Sequence, residues 1–341
     1  MSASATEEIT LTRKDFVSDQ TVRWCPGCGD YSILAQMQRV LPETGVPKEK
    51  TVFISGIGCS SRFPYYMNNY GIHTIHGRAP ALATGLAVAN PDLSIWVITG
   101  DGDGLSIGGN HLLHAIRRNV DLNIILFNNR IYGLTKGQYS PTSEPGKTTK
   151  SSPSGSIDYP FNPVSLALGA EATFVARTLD MDRNHTTAML KAAHAHRGSA
   201  LIEIYQNCNV FNDKAFIQLT GKAERYANRI DLVHGQPVVF GADKEKAVVW
   251  DGGRAAIVDR ASAHPSQIIV HDAHAEDASA AFALSRLAHG PYGPTPLGIF
   301  RDVYRPVYDD ALQDAVTRST AARGSGDLGK LVTSLGTWTV E

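Results

Sequence analysis

Two carboxylates stand in the glycine-rich run Gly100-Asp101-Gly102-Asp103-Gly104. Glycines allow close backbone approach to a ligand, and a following helix offers free amides to a phosphate. Paired carboxylates suit a hard divalent ion such as Mg2+ that bridges to phosphate oxygens. Taken alone, Asp-Gly pairs are also ordinary turn residues. Asn128-Asn129 add weight, because Asn129 follows Asp101 by 28 residues. That is room for a helix and a strand that bring the chain back beside its start. Four cysteines form the second group: Cys25 and Cys28 in Cys-Pro-Gly-Cys, Cys59 in Gly-Ile-Gly-Cys-Ser-Ser, and Cys208 in Asn-Cys-Asn. They are too few for a disulfide scaffold. A Cys-x-x-Cys clip serves zinc, iron–sulfur clusters and redox disulfides alike, so spacing leaves their ligand open.

The elements that must position these groups follow one pattern of strand, turn and helix from Gly29 to Cys208. Ile33, Leu34, Met37, Val40 and Leu41 recur at helical spacing, and Thr51–Ser55 is a short β-branched and aromatic run. A helix is expected from near Pro80 to before Asn90-Pro91. Further strands are expected at Ser94–Thr99, Leu122–Phe127, Thr173–Ala176 and Ala200–Tyr205, with helices at Ile107–Arg118, Asn162–Leu168 and Asp182–His196. Continuous apolar strands of this kind belong to a sheet buried on both faces, so the fold class is α/β with a doubly wound parallel sheet. Cys59, Asp101, Asn129 and Cys208 each follow a strand, and in an open parallel sheet ligands bind beyond the carboxyl ends. These sites are therefore expected to share one edge.

Residues 140–158, rich in Ser, Thr, Pro and Gly, read as a long loop. Beyond residue 209 the signals weaken. Val238–Phe240, Val248–Trp250 and Ile268–Val270 read as short strands, Asp277–Leu287 as helical, and Pro-Tyr-Gly-Pro-Thr-Pro at 291–296 as a turn or linker. His194 and His196 read as surface positions. The division expected is 1–209 as a cofactor-binding α/β domain and 210–341 as a C-terminal extension that faces a partner or substrate.

Apolar residues make up 43% of the 341, and 32 basic residues oppose 33 acidic ones. Such a chain has material for a core and lacks the basic excess of a nucleic-acid binder. No apolar run approaches the roughly 20 residues that span a bilayer. The start, MSASATEEIT, carries no basic and apolar leader. The expectation is a cytoplasmic protein that binds neither membrane nor nucleic acid.

Gly-Asp-Gly followed at this interval by Asn-Asn resembles the thiamine diphosphate fingerprint. The resemblance implies Mg2+ held by Asp101, Asn129 and the backbone carbonyl of Ile131. The motifs Cys-Pro-Gly-Cys, Gly-Ile-Gly-Cys-Ser-Ser, His-Gly-Arg-Ala-Pro-Ala at 76–81, Gly-Asp-Gly-Asp, Tyr-Gly-Leu-Thr-Lys-Gly-Gln at 132–138 and the late lone cysteine narrow the match. Over residues 23–210 they look like the β subunit of 2-oxoacid:ferredoxin oxidoreductases, with the 2-oxoglutarate branch most alike.

That resemblance implies a sheet of thiamine diphosphate-binding type, with Cys25, Cys28, Cys59 and Cys208 holding one [4Fe–4S] cluster. Gly58, Ser60, His76, Gly100, Asp101, Gly102, Asp103, Asn129, Gly133, Leu134 and Thr135 are then expected around thiamine diphosphate, with His76, Arg78 and Lys136 as catalytic or substrate-steering groups. The implied reaction is oxidative decarboxylation of a 2-oxoacid to its coenzyme A ester, with electrons leaving through the cluster to ferredoxin. The glutamate that thiamine enzymes place against the aminopyrimidine is expected on a separate α subunit, in an αβ or (αβ)2 assembly.

Overall fold

The apolar runs become strands that contribute side chains to two cores at once. In this computed structural model, which describes residues 11–288, 293–338 and 340, the first six strands are β1 (Thr51–Ser55), β2 (Tyr70–His73), β3 (Ser94–Gly100), β4 (Leu122–Asn128), β5 (Phe174–Leu179) and β6 (Ser199–Tyr205). Alternate residues point to opposite faces. Ile124 and Leu126 of β4 join Val52, Ile54 and Val97 against α2 (Ala79–Ala89), α3 (Gly109–Arg118) and α4 (Pro163–Gly169). Ile125 and Phe127 join Phe53, Trp96, Ile98 and Ile202 against α1 (Asp30–Val40) and α5 (Arg183–Ala195). Helix α2 lies close to the sheet because its buried positions Ala79, Ala83 and Ala87 are small and spaced four apart.

The expected doubly wound α/β sheet is therefore present, and it extends further than expected. Past β6 come the single-turn helices α6 (Ile217–Thr220) and α7 (Arg225–Asn228), then β7 (Arg229–Leu232), β8 (Val239–Phe240), β9 (Lys246–Asp251), β10 (Arg254–Asp259), α8 (Ser279–Ser285), β11 (Thr295–Asp302), α9 (Tyr308–Arg323) and α10 (Leu328–Thr333). The main sheet runs β2-β1-β3-β4-β6-β5-β11-β7. Among the described residues of this sheet only the β11–β5 pair is antiparallel. Strands β10, β9 and β8 form a small antiparallel sheet. Among the described residues no helix is long and apolar enough to cross a membrane.

Several expectations are corrected. Thr295 and Pro296 of the supposed linker open β11, while residues 291 and 292 lie outside the described residues, as does the start MSASATEEIT. Ile268–Val270 makes isolated bridges to Val249 and Pro237, not a strand. His194 stacks on Trp96 with ring centroids 6.1 Å apart. His196 is packed inward, its Nδ1 2.8 Å from Asp302 Oδ1 and its Nε2 2.8 Å from Thr173 Oγ1.

Within the sheet one ion pair is fully buried. Arg177 of β5 faces Glu203 of β6 in register, Nε donating to Oε2 at 2.6 Å. The same guanidinium bonds the Pro296 carbonyl of β11 and Asn162 Oδ1, the side chain that caps α4. Removing one partner of a buried pair leaves an uncompensated charge. Arg177→Met is expected to cost about 3–5 kcal/mol, and the double variant Arg177→Met/Glu203→Leu less than the single one, as read from urea unfolding midpoints.

Candidate functional site

The loops that leave β1, β3, β4 and β6 all emerge at the carboxyl edge of four neighbouring parallel strands. There Gly58, Ser60, His76, Gly100, Asp101, Gly102, Asp103, Asn129, Ile131, Gly133, Leu134 and Thr135 line one pocket. Every one of these positions was expected from the sequence to face a cofactor. Gly102 is a glycine because a Cβ there would overlap the Tyr132 ring, and Tyr132 OH donates to the Gly102 carbonyl at 2.9 Å.

The two carboxylates of the glycine-rich run have different surroundings. Asp101 is buried, and both side-chain bonds it accepts go to Oδ2, from Ser140 Oγ at 2.5 Å and Thr142 Oγ1 at 2.6 Å. Oδ1 is left outside this hydroxyl clamp. Burial pushes the Asp101 carboxyl up to about 6, partly offset by those hydroxyls. Asp103 is consumed by the protein itself. Its Oδ1 accepts from Ile57 N at 2.9 Å and Gly77 N at 2.7 Å and lies 2.6 Å from His76 Nδ1; its Oδ2 accepts from Thr99 Oγ1 at 2.6 Å. It knots the loop after β1, the turn before α2 and the end of β3, and it aims His76.

After β4 the chain turns sharply through Arg130, at φ 56°. A left-handed conformation is costly for such a residue, and here its surroundings fix it. The guanidinium lies 4.6 Å from the Phe216 ring centre, Asn128 Oδ1 accepts from Arg130 N at 3.2 Å, and Ser143 Oγ donates to its carbonyl at 2.6 Å. The turn presents Asn129 and Ile131 to the pocket. Asn129 Oδ1 accepts from Ile131 N at 3.1 Å, while its Nδ2 donates to Gln206 Oε1 at 3.0 Å.

The four cysteines line an adjoining cavity, together with Arg23, Arg62 and Lys136. Three bonds stitch their segments: Trp24 Nε1 to the Cys59 carbonyl at 2.6 Å, Asn209 Nδ2 to the Pro26 carbonyl at 2.6 Å, and Gly29 N to the Asn207 carbonyl at 3.1 Å. A Cβ on Gly133 would lie 3.5 Å from Cys59 Sγ and 3.6 Å from Cys208 Sγ, so this glycine leaves the sulfurs room. Burial, with the neighbouring Asp30 charge, pushes the Cys28 thiol up and the Cys59 thiol up to about 12. Among the described residues no three of His, Cys, Asp or Glu are drawn round one point as ligands of a single ion. The donor set is four thiols around a cavity. A centre that is itself cationic makes their ionised form favourable.

Arg78 stands apart, exposed at the N-terminus of α2 and lining neither cavity. Lys136 lines the cysteine cavity and not the Asp101 pocket. Four residues of the site were missed. Ser140 and Thr142 sit in a stretch that reads only as loop. Gln206 has the look of a strand-end amide. Asp30 reads as a helix start, yet it is 1% exposed, lines the pocket, has no hydrogen-bond partner on either oxygen and is raised by burial to about 7.

Residues 56–204 match the family described as thiamine pyrophosphate enzyme, C-terminal TPP binding domain. The chain is 59% identical over 332 residues to 2-oxoglutarate oxidoreductase subunit KorB of Mycobacterium tuberculosis, covering 96% of this chain and 88% of that protein. It is 48% identical over 214 residues to 2-oxoacid:ferredoxin oxidoreductase 1, subunit beta, of Aeropyrum pernix, covering 63% of this chain and 65% of that one. A solved structure, 2-oxoglutarate:ferredoxin oxidoreductase from Magnetococcus marinus with 2-oxoglutarate, coenzyme A and succinyl-CoA bound, superposes with a TM-score of 0.75 at 33% identity and covers 98% of each chain.

The Asp103 knot is testable through the glycine that makes room for it. A Cβ on Gly56 would overlap the Asp103 carboxylate. Gly56→Ala and Asp103→Ala are each expected to cost at least about 1.5–3 kcal/mol, the worth of one hydrogen bond to a charged group. The double variant should lose far less than the sum, because both changes break the same contacts. Thermal unfolding of the three variants checks this, and additive losses would contradict it.

Proposed function

We propose that this chain, which belongs to the β-subunit family of the 2-oxoacid:ferredoxin oxidoreductases, acts on 2-oxoglutarate and carries thiamine diphosphate with Mg2+ and one [4Fe–4S] cluster at the edge formed by β1, β3, β4 and β6. The observation that carries this reading is convergence. Asp101, Asn129 and the four cysteines come from separate segments and meet on two cavities that share Cys59, Asn129, Gly133, Leu134 and Gln206. The names of the relatives and the ligands of the Magnetococcus structure support 2-oxoglutarate and coenzyme A.

When bound, thiamine diphosphate supplies the electron sink for decarboxylation and the cluster supplies one-electron steps toward ferredoxin. Asp101 Oδ1, Asn129 Oδ1 and the Ile131 carbonyl are the oxygens for Mg2+, a donor set that suits this ion. Gly58, Ser60, Gly100, Gly102, Gly133, Leu134 and Thr135 wall the cofactor, and His76 faces it with its Nδ1 side fixed by Asp103. Lys136 and Arg78 steer the anionic substrate, Lys136 from the cysteine cavity and Arg78 from the exposed turn before α2. Four thiols spread round a cavity suit a cubane, which takes one thiolate per iron. A tetrahedral zinc needs all four sulfurs about 2.3 Å from one point. Arg23, Arg62 and Lys136 offset the negative charge of such a cluster.

The pocket's acids are Asp30, Asp101 and Asp103, with no glutamate among its described residues. This supports an α subunit that supplies the glutamate and completes the site in an αβ or (αβ)2 assembly. The large apolar side chains Ile75, Ile107 and Leu134 stand exposed beside His76, Gly77 and the pocket lining, a surface such a subunit would cover. Every candidate ligand lies at or before Cys208, while residues 210–341 complete the same sheet with β7 and β11 and are the part we assign to partner contacts in the cytoplasm.

The chain co-expressed with its α subunit and purified anaerobically should contain about four iron and four labile sulfide per β chain. It should reduce a viologen dye with 2-oxoglutarate only when coenzyme A and the α subunit are both present. Cys25→Ser, Cys28→Ser, Cys59→Ser and Cys208→Ser are each expected to lower iron content. Asp101→Ala should keep the iron and lose retained thiamine diphosphate. Stoichiometric zinc without labile sulfide, or normal thiamine diphosphate occupancy in Asp101→Ala, would sink the assignment.

A further inference from the structure

Gln206, the residue after β6, is 1% exposed and lines both cavities. Its Nε2 lies 2.6 Å from the Asn207 carbonyl oxygen and 3.2 Å from Cys28 Sγ, and its Oε1 lies 3.0 Å from Asn129 Nδ2. These contacts fix which way the amide points. A backbone carbonyl only accepts, so the nitrogen of Gln206 must face Asn207 and its oxygen must face Asn129. The constraint passes on. Gln206 Oε1 accepts a hydrogen bond from Asn129 Nδ2 and the Ile131 N–H donates to Asn129 Oδ1, so the two contacts together hold that amide with its oxygen toward Ile131, beside the pocket. A hard cation takes oxygen and refuses an amide nitrogen, so the flip of Asn129 decides whether it is a ligand at all. The second N–H of Gln206 reaches a sulfur. Hydrogen bonds to cysteine sulfur stabilise the more negative state of an iron–sulfur cluster and raise its reduction potential.

We propose that Gln206 is a positioning residue for both cofactor sites at once: it sets the amide of Asn129 with oxygen toward Mg2+, and it donates an N–H to the Cys28 sulfur that tunes the cluster. This deepens, and rests on, the assignment of Mg2+–thiamine diphosphate and a [4Fe–4S] cluster given above. Both N–H groups of the side chain are used and its oxygen accepts one bond, so the burial is satisfied by three contacts together and by no single one. A direct path of two hydrogen bonds, Asn129 Nδ2 to Gln206 Oε1 and Gln206 Nε2 to Cys28 Sγ, joins the metal amide to a cluster thiolate.

The test uses the anaerobic αβ assembly with two variants and two readouts: Mg2+-dependent thiamine diphosphate affinity by calorimetry, and the cluster midpoint by EPR-monitored redox titration. Gln206→Leu, which keeps the bulk and loses every bond, is expected to weaken affinity about tenfold, as loss of a ligand-orienting partner does. It should also lower the midpoint by up to about 59 mV, a tenfold change for one electron. Gln206→Glu keeps an oxygen for Asn129 and loses the N–H, so its affinity should stay within about twofold of wild type, a small fraction of the tenfold loss above, while its midpoint still falls.

A Gln206→Leu assembly that matches wild type in either readout overturns the proposal. If that variant does not assemble, Gln206→Glu decides: an unchanged midpoint or a lost affinity overturns it. Failure of the underlying assignment is recognised separately in the wild type, as absent labile sulfide or thiamine diphosphate binding indifferent to Mg2+, and removes this inference with it.

Discussion

Glu203 has no exposed surface and sits in the middle of the sheet. A buried charge is tolerable only when it is paired and hydrogen-bonded. Arg177 supplies the pair and Asn128 Nδ2 a second bond at 2.7 Å. From this point polar contacts run outward both ways. Asn128 Oδ1 accepts from Arg130 N and lies 2.9 Å from Thr142 Oγ1, and Thr142 reaches Asp101. In the other direction Arg177 reaches Asn162 and the Pro296 carbonyl. The acid assigned to Mg2+ and the distant strand β11 are thus two ends of one polar chain that crosses the sheet. Apolar packing fixes the layers, and this chain fixes which loop conformations they carry.

The same economy governs the glycine-rich run. Asp101 and Asp103 are chemically identical and two residues apart, and the donors around them divide their roles. Backbone amides and a threonine saturate Asp103, so it builds the site. Two hydroxyls on one oxygen hold Asp101 still while leaving its other oxygen outside the clamp. Roles of this kind are set by loops from elsewhere in the chain, above all by Ser140 and Thr142.

How much of this was legible in the sequence follows from which signals are local. Strands buried on both faces announce themselves as apolar runs, and their carboxyl ends announce the site, so the sequence alone puts Cys59, Asp101, Asn129 and Cys208 at one edge. β11 was illegible because Pro296, Gly298 and Arg301 break its pattern. Gly298 stands at φ 117°, where a Cβ would lie 2.6 Å from the Leu232 carbonyl, and Arg301 is buried by bonds to the Ala172 and Glu276 carbonyls. β2 and β7 are four-residue edge strands with little hydrophobic period to read. His196 looks like a solvent residue until Asp302, more than a hundred positions later, arrives beside it. Arg78 is legible only through its motif, and the fold holds it exposed at the turn before α2, the position from which the proposed steering of substrate would act.

The strand order carries a consequence for synthesis. The four strands that make the cofactor edge are complete once Tyr205 has emerged, with more than a hundred residues still to be translated. At that moment β5 is the sheet border, and its unpaired backbone groups have no partner until Thr295–Asp302 arrives to cover them. An open, apolar border strand is a template for wrong pairing. The nascent chain therefore passes through an interval in which its chemistry-bearing edge can already be formed while its opposite border is unprotected. Ribosome stalling or truncation between β6 and β11 would leave the β5 border open to wrong pairing.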